Sequence, residues 1–223
     1  MIVAFDLEGT LVDAELFPAL GQHNGRERTL DEITDMAMSG DLDFRASLDM
    51  RLGLVQGMSV ETVREVAENL SISRGAVETI LIVKRLGMIP IIITGGFCVL
   101  AERVAEKLGI EYVSCNRFKI EDGYITGVVE PVITGREKAK KLQALASWLG
   151  VNLNLCIAVG DGANDIEMMR IAGLSIAYNG CERVIEEADV SVTGKDLTLI
   201  LPYIEKFVHA SPEQGRDLLN QIG

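Results

Sequence analysis

The sequence predicts an α/β protein: a doubly wound, parallel, Rossmann-like sheet with a small helical cap inserted after the first strand. Three observations lead there. Short apolar runs at 88–93, 111–115, 155–159, 174–177 and 189–192 alternate with helix-patterned stretches, the rhythm of strand–helix–strand crossovers. An apolar run at 1–5 precedes them, and the long segment that follows it, rich in Met, Leu, Glu and Arg, has no strand signal. Finally, the runs at 1–5 and 155–159 each lead straight into a turn carrying carboxylates. In a doubly wound sheet such turns open at one edge, where ligands bind beside the point at which strand order reverses.

Taken in order, the first strand stops at Asp6, and Asp6-Leu7-Glu8-Gly9-Thr10 forms the turn after it. The segment from about Asp13 to Arg74 reads as helical, punctuated by Gly40, Gly53 and Gly57. An insertion here sits beside the crevice and can serve as a lid. The strand at 88–93 ends at Thr94, and Gly95-Gly96 then opens a helix around 99–108. A strand follows at 111–115, and Asp122-Gly123 within 118–132 signals a hairpin turn. A helix over 136–149 leads to the strand at 155, the strands at 174–177 and 189–192 follow, and a last helix covers 197–207. The expected division is a core of residues 1–13 and 75–210, a cap of 14–74 and a polar tail of 211–223, read as one peripheral helix.

Composition narrows the function. The 223 residues, 48% hydrophobic and 24% charged, fit an ordinary globular chain. A net charge of −12 argues against a nucleic-acid partner, which needs clustered Lys and Arg. It permits a small anionic substrate held by a local positive site. The longest apolar run is far short of a membrane span. The N-terminus enters a strand with no basic leader, so no signal peptide is expected and the expected location is cytoplasmic. Cys98, Cys115, Cys156 and Cys181 form no metal spacing with His23 and His209 and read as small core residues in a reduced compartment.

The carboxylates carry the chemistry. Asp6 and Glu8 from one turn face Asp161 and Asp165 from Gly160-Asp161-Gly162-Ala163-Asn164-Asp165. An all-oxygen cluster suits a hard cation such as Mg2+, and a phosphate dianion would be repelled without one. Asp165 either stands behind the metal ligands or caps the helix it opens. One of the paired acids can attack an electrophile while the other carries a proton. Thr94 with Gly95 and Gly96 offers a hydroxyl and bare backbone N–H groups to a phosphate, or simply an N-cap and a glycine turn. Lys138, in Arg136-Glu137-Lys138-Ala139-Lys140-Lys141, reads on its own as part of a solvated helix face.

Asp6-Leu7-Glu8-Gly9-Thr10, Ile93-Thr94-Gly95-Gly96, Lys138 and Gly160 to Asp165 together resemble the four motifs of the haloacid dehalogenase superfamily, in order and over nearly the whole chain. Within it the sequence is most similar to the phosphoserine phosphatases. The resemblance implies a transient phosphate on Asp6, with Mg2+ held by Asp6, the Glu8 carbonyl and Asp161. It selects Lys138, twelve residues before Gly150, as the cation that holds phosphate and offsets Asp6. Asn164, inside the last motif, falls among the substrate-binding residues by the same resemblance. The implied reaction is release of phosphate from L-phosphoserine, a step of serine biosynthesis.

In the cap, Phe44, Ser47, Leu48 and Arg51 fall on one helix face. Met and Phe on such a face are commonly core, and an Arg there commonly snorkels. The run from Met38 to Arg51 nevertheless resembles the substrate lid of the phosphoserine phosphatases. It implies that Arg51 grips the substrate carboxylate, Glu15 receives its amino group, and Met38 and Phe44 form an apolar cover. One position departs from the family: most members have Asp where this chain has Glu8. The longer acid keeps the chemistry but needs compensation nearby for its extra methylene. A different small phosphorylated metabolite, or a sensor that binds phosphate without turnover, are the competing readings. Gly160-x-Gly162 lacks the third glycine of a dinucleotide fingerprint and brings two repelling acids. Thr193-Gly194-Lys195-Asp196 is an equally poor P-loop.

Overall fold

All four residues of β1 (Ile2–Phe5) are buried, as expected of an unbroken apolar run with packed layers on both faces. In the computed structural model, which describes residues 1–210, β1 lies inside a six-stranded sheet. The other strands in chain order are β2 (Ile89–Phe97), β3 (Tyr112–Asn116), the hairpin β4 (Phe118–Glu121) and β5 (Tyr124–Val128), β6 (Cys156–Gly160), β7 (Leu174–Tyr178) and β8 (Val190–Val192). The large sheet runs β3-β2-β1-β6-β7-β8 with every pairing parallel. Strand order reverses between β1 and β6, so their carboxyl ends frame the crevice. Side chains alternate across β1: Val3 and Phe5 join one core cluster, Ile2 and Ala4 the other.

Four helices, α1 (Leu16–Asn24), α2 (Glu27–Ser39), α3 (Phe44–Val55) and α4 (Val60–Asn69), lie between β1 and α5 (Ala76–Arg85). Local chemistry sets their ends. Asp43 accepts from Ala46 N at 3.0 Å to cap α3, and Ser59 accepts from Thr62 N at 3.1 Å to cap α4. α2 ends on Gly40 at φ 84, a left-handed conformation that glycine adopts without steric cost. The core continues through α6 (Cys98–Leu108), α7 (Gly135–Trp148), α8 (Ile166–Ile171), α9 (Glu182–Glu187) and α10 (Leu201–Ala210). No helix among the described residues is long and apolar enough to cross a membrane.

Three sequence expectations need correction. β2 does not stop at Ile93; it runs through Gly95-Gly96 to Phe97, because β3 continues to pair with it after an irregularity, Phe97 against Asn116. The glycines therefore lie in a strand end, and α6 opens only at Cys98. The six-residue α9 was missed, being too short for its periodicity to show. Cys98 and Cys115 are joined as a disulfide with Cα atoms 5.1 Å apart, whereas the sequence reading left all four cysteines unpaired. The β2–α6–β3 crossover returns Cys115 beside the start of α6, a proximity invisible in linear spacing. Cys156 and Cys181 are free. The peripheral helix expected over the tail lies outside the described residues.

Candidate active site

Asp6 leaves β1 and Asp161 leaves β6, adjacent strands aligned Phe5 to Val159. Asp6 N donates to Val159 O at 2.9 Å, which holds the two exits side by side. Carboxylate oxygens of Asp6, Asp161 and Asp165 lie within 4.8 Å of one another. Gly9, at φ 75, turns the chain where a Cβ would strike the Asp161 carboxylate. Asp161 Oδ1 is buried with no hydrogen-bond partner among the described residues. An orphaned carboxylate oxygen in an all-oxygen cluster fits a divalent cation such as Mg2+. Burial, followed by the neighbouring Asp6 and Asp165, raises the Asp161 carboxyl well above its ordinary range, which a cation would reverse.

Lys138 is wholly buried and its Nζ donates to Asp6 Oδ1 and Asp165 Oδ1, each at 2.7 Å. Lys140 and Lys141 on the same helix are exposed, so the site recruits one lysine of the three. Burial alone would lower Lys138, but Asp165 and Asp6 outweigh it and keep the ammonium charged. Asp165 is pushed up to about 6, by burial first and Asp6 next. Its Oδ2 accepts from Asp161 N and Gly162 N at 3.2 Å each. It therefore braces both the lysine and the loop that carries Asp161.

Glu8 Oε1 accepts from Leu16 N, the first amide of α1, at 2.6 Å. Its other oxygen lies against Gly96, where a Cβ would collide with it. Burial pushes the carboxyl up to about 7; the Leu16 amide opposes the rise and Asp6 adds to it. Thr94 is buried, and its Oγ1 accepts from Gly96 N at 2.8 Å.

Helices α1, α2 and α3 close over these groups, leaving a cavity of about 30 Å³, room for a couple of water molecules. Met38 packs on Gly162 and Phe44 on Gly95, both where a Cβ would clash. Asn164 also lines the cavity, and its Oδ1 is buried without a partner among the described residues. Arg51 is 6% exposed, with its guanidinium 4.9 Å from the Phe17 ring centroid and 5.8 Å from that of Phe44. Its Nε donates to Ser47 O at 3.4 Å. None of the ion pairs among the described residues includes it. Burial lowers its pKa against the pull of Glu15 and Glu8. Glu15, across the cavity, is raised well above the usual carboxylate range by burial and then by Glu8.

The structure thus gathers every residue singled out from the sequence around one crevice. Sequence reading missed Phe17, which stacks on Arg51, and Cys181, whose thiol donates to Met38 O at 3.1 Å while its N–H donates to Asp161 O at 3.0 Å. It also missed Asn116, bonded to Gly95. A lone cysteine and a strand-end asparagine give no motif signal.

The chain is similar to known proteins in sequence and in fold. Residues 3–170 match the family model of the haloacid dehalogenase-like hydrolases. The phosphoserine phosphatase of Methanocaldococcus jannaschii is 37% identical over 205 residues, covering 92% of this chain and 97% of that protein. Phosphoserine phosphatase SerB2 of Mycobacterium tuberculosis is 38% identical over 201 residues, 90% of this chain and 49% of that longer protein. A solved structure described as a phospho-aspartyl intermediate analogue of phosphoserine phosphatase superposes with a TM-score of 0.88 at 36% identity, covering 91% of this chain and 97% of that one. The chain belongs to the haloacid dehalogenase-like hydrolases.

Proposed function

We propose that the protein is a Mg2+-dependent phosphomonoester hydrolase that releases phosphate from L-phosphoserine, as in serine biosynthesis, by way of an acyl phosphate on Asp6. The observation that carries the substrate is Arg51: a buried guanidinium without an ion pair, facing a cavity that also holds the Glu15 carboxylate. Leaving a buried charge unpaired is costly. A ligand bearing both a carboxylate and an ammonium would satisfy Arg51 and Glu15 together. The amino-acid end of phosphoserine is such a ligand, and similarity to the phosphoserine phosphatases points the same way.

The chain's own groups supply the chemistry. A carboxylate oxygen of Asp6 attacks phosphorus as the ester P–O bond breaks, and Glu8 gives its proton to the departing serine oxygen. Glu8, now ionised, takes a proton from water as the water oxygen attacks phosphorus and Asp6 departs. A Glu8 carboxyl at about 7 is matched to both halves, since an acid–base group works best near the operating pH. Asp6, Asp161 and the Glu8 carbonyl would hold Mg2+, which supplies charge neutralisation for the phosphoryl group. Thr94, Gly95 and Asn164 receive the phosphoryl oxygens, with Gly96 N–H holding the Thr94 hydroxyl in place and Lys138 balancing charge at Asp6. Met38 and Phe44 exclude water once the lid is shut.

The test is phosphate release, with and without Mg2+, from L-phosphoserine, phosphoethanolamine and 3-phosphoglycerate, which respectively carry both end groups, the amine only and the carboxylate only. The expected outcome is Mg2+-dependent turnover with L-phosphoserine preferred. Equal kcat/KM for all three would overturn the substrate. Phosphate binding with no turnover on any would instead establish a sensor.

A further inference from the structure

Asn116 is 2% exposed and stands at the end of β3, outside every motif considered above. Both ends of its amide are engaged. Nδ2 donates to Gly95 O at 2.8 Å, and Oδ1 accepts from Ile133 N at 2.8 Å. The first bond fixes a peptide plane. Gly95 O and Gly96 N belong to one planar trans unit whose C=O and N–H point oppositely, and Gly96 N donates to Thr94 Oγ1 at 2.8 Å. The plane is therefore held at both edges, by Asn116 on one side and the Thr94 hydroxyl on the other. Two consecutive glycines could otherwise rotate through many conformations.

The second bond reaches the segment that packs beside Gly95, where Ile133 O lies 3.4 Å from where a Gly95 Cβ would be. Ile133 precedes Thr134, the residue before α7, and Thr134 O accepts from Lys138 N at 2.9 Å. Lys138 is the lysine that touches Asp6. Asn116 thus ties the end of β2 at Gly95 to the segment that launches Lys138. Its neighbour Cys115 is tied to Cys98 at the start of α6, which joins the end of β3 to the residue that follows β2.

We infer that Asn116 is a positioning residue for the phosphoryl group: by holding the Gly95–Gly96 peptide plane and the Ile133 segment in register, it sets the phosphate cradle opposite Asp6 and Lys138. It touches neither substrate nor metal. The inference rests on the phosphatase reading only for the location of the phosphate, so its test uses orthophosphate binding and needs no turnover.

The test compares wild type with Asn116→Asp and Asn116→Ser. Asn116→Asp keeps the shape and the acceptor for Ile133 N but sets a carboxylate against the Gly95 carbonyl. Orthophosphate affinity is measured by calorimetry in saturating Mg2+, alongside Mg2+ affinity without phosphate, and kcat and KM for L-phosphoserine. The expected result is orthophosphate affinity weakened about tenfold or more, with kcat falling in parallel and Mg2+ affinity unchanged within about twofold. Unchanged orthophosphate affinity in a folded variant, with only the melting temperature lowered, would reduce Asn116 to a structural strut and overturn the inference. Should Asn116→Asp fail to fold, Asn116→Ser decides by the same criterion. Orthophosphate binding that follows the expectation while phosphoserine is not hydrolysed would sustain Asn116 and sink the proposed substrate.

Discussion

Replacing Arg51 separates recognition from packing, because the structure makes opposite demands on the two. Arg51 is 6% exposed, stacked between Phe17 and Phe44 and without a carboxylate partner. In Arg51→Met the side-chain volume and the apolar contacts are largely retained while the charge is lost. A substrate carboxylate left unpaired in this closed site costs about 2–5 kcal/mol. That is roughly 30-fold to several-thousand-fold in kcat/KM at about 1.4 kcal/mol per factor of ten. p-Nitrophenyl phosphate has neither carboxylate nor amine and should lose much less. The unliganded protein should change in the other direction, since the variant removes a guanidinium whose burial outweighs the attraction of Glu15 and Glu8. A gain of about 1 kcal/mol would raise Tm by roughly 2–4 °C for a chain of this size. The assay is phosphate release on both substrates, with thermal unfolding measured without ligand. Equal losses on the two substrates, together with a lowered Tm, would refute the recognition argument and leave Arg51 as packing.

Four further outcomes follow from the same geometry. Asp6→Asn removes the nucleophile while keeping its size, so turnover should vanish with the circular-dichroism spectrum unchanged; residual wild-type turnover would sink the covalent route. Asp161→Ala should raise the Mg2+ concentration needed for half-maximal rate by about tenfold or more, the loss of one charged ligand oxygen; an unchanged Mg2+ dependence contradicts the metal assignment. Glu8→Gln can still accept from Leu16 N but carries no transferable proton, so kcat should drop about 10²- to 10⁴-fold, read from steady-state kinetics. In chelator, Glu8 at about 7 and Asp165 at about 6 lie above ordinary carboxylate values, so between roughly pH 4.5 and 7 the folded state binds more protons than the unfolded. Stability should therefore fall as pH rises through that window, and a Tm that climbs instead would show the two carboxyls ionised in the metal-free fold.

The sheet was legible because its strands are short apolar runs that end abruptly in turn chemistry, and the order of strands and helices leaves few parallel topologies. Helix α3 was legible for a related reason: Phe44, Ser47, Leu48 and Arg51 keep helical spacing, and Ser47, Leu48 and Arg51 are buried on that helix. What failed did so on tertiary grounds. Gly95-Gly96 looked like a helix opening because glycine pairs commonly punctuate, yet pairing with β3 carries β2 past them. Cys98 and Cys115 stand 17 residues apart in sequence, and only the crossover of α6 makes them neighbours. Lys138 could not be told from Lys140 or Lys141 by composition. Burial and two carboxylate partners distinguish it.

Glu8 shows how far a sequence can state a problem without holding its answer. One methylene beyond Asp must be absorbed somewhere, or the acid loses its aim at the leaving oxygen. The absorbing group is main chain: Leu16 N, 2.6 Å from Oε1, which no side-chain pattern could announce. The first amides of a helix lack partners within it, so the start of α1 has an N–H to give, and the longer acid has the length to reach it. The bond opposes the rise in Glu8 pKa that burial imposes. It also places the Glu8 carboxyl between the start of α1 and Gly96. An Asp at this position, shorter by about 1.5 Å of carbon–carbon bond, would fall short of Leu16 N unless α1 moved inward. The length of Glu8 and the position of α1 are therefore coupled: the Leu16 N contact needs both.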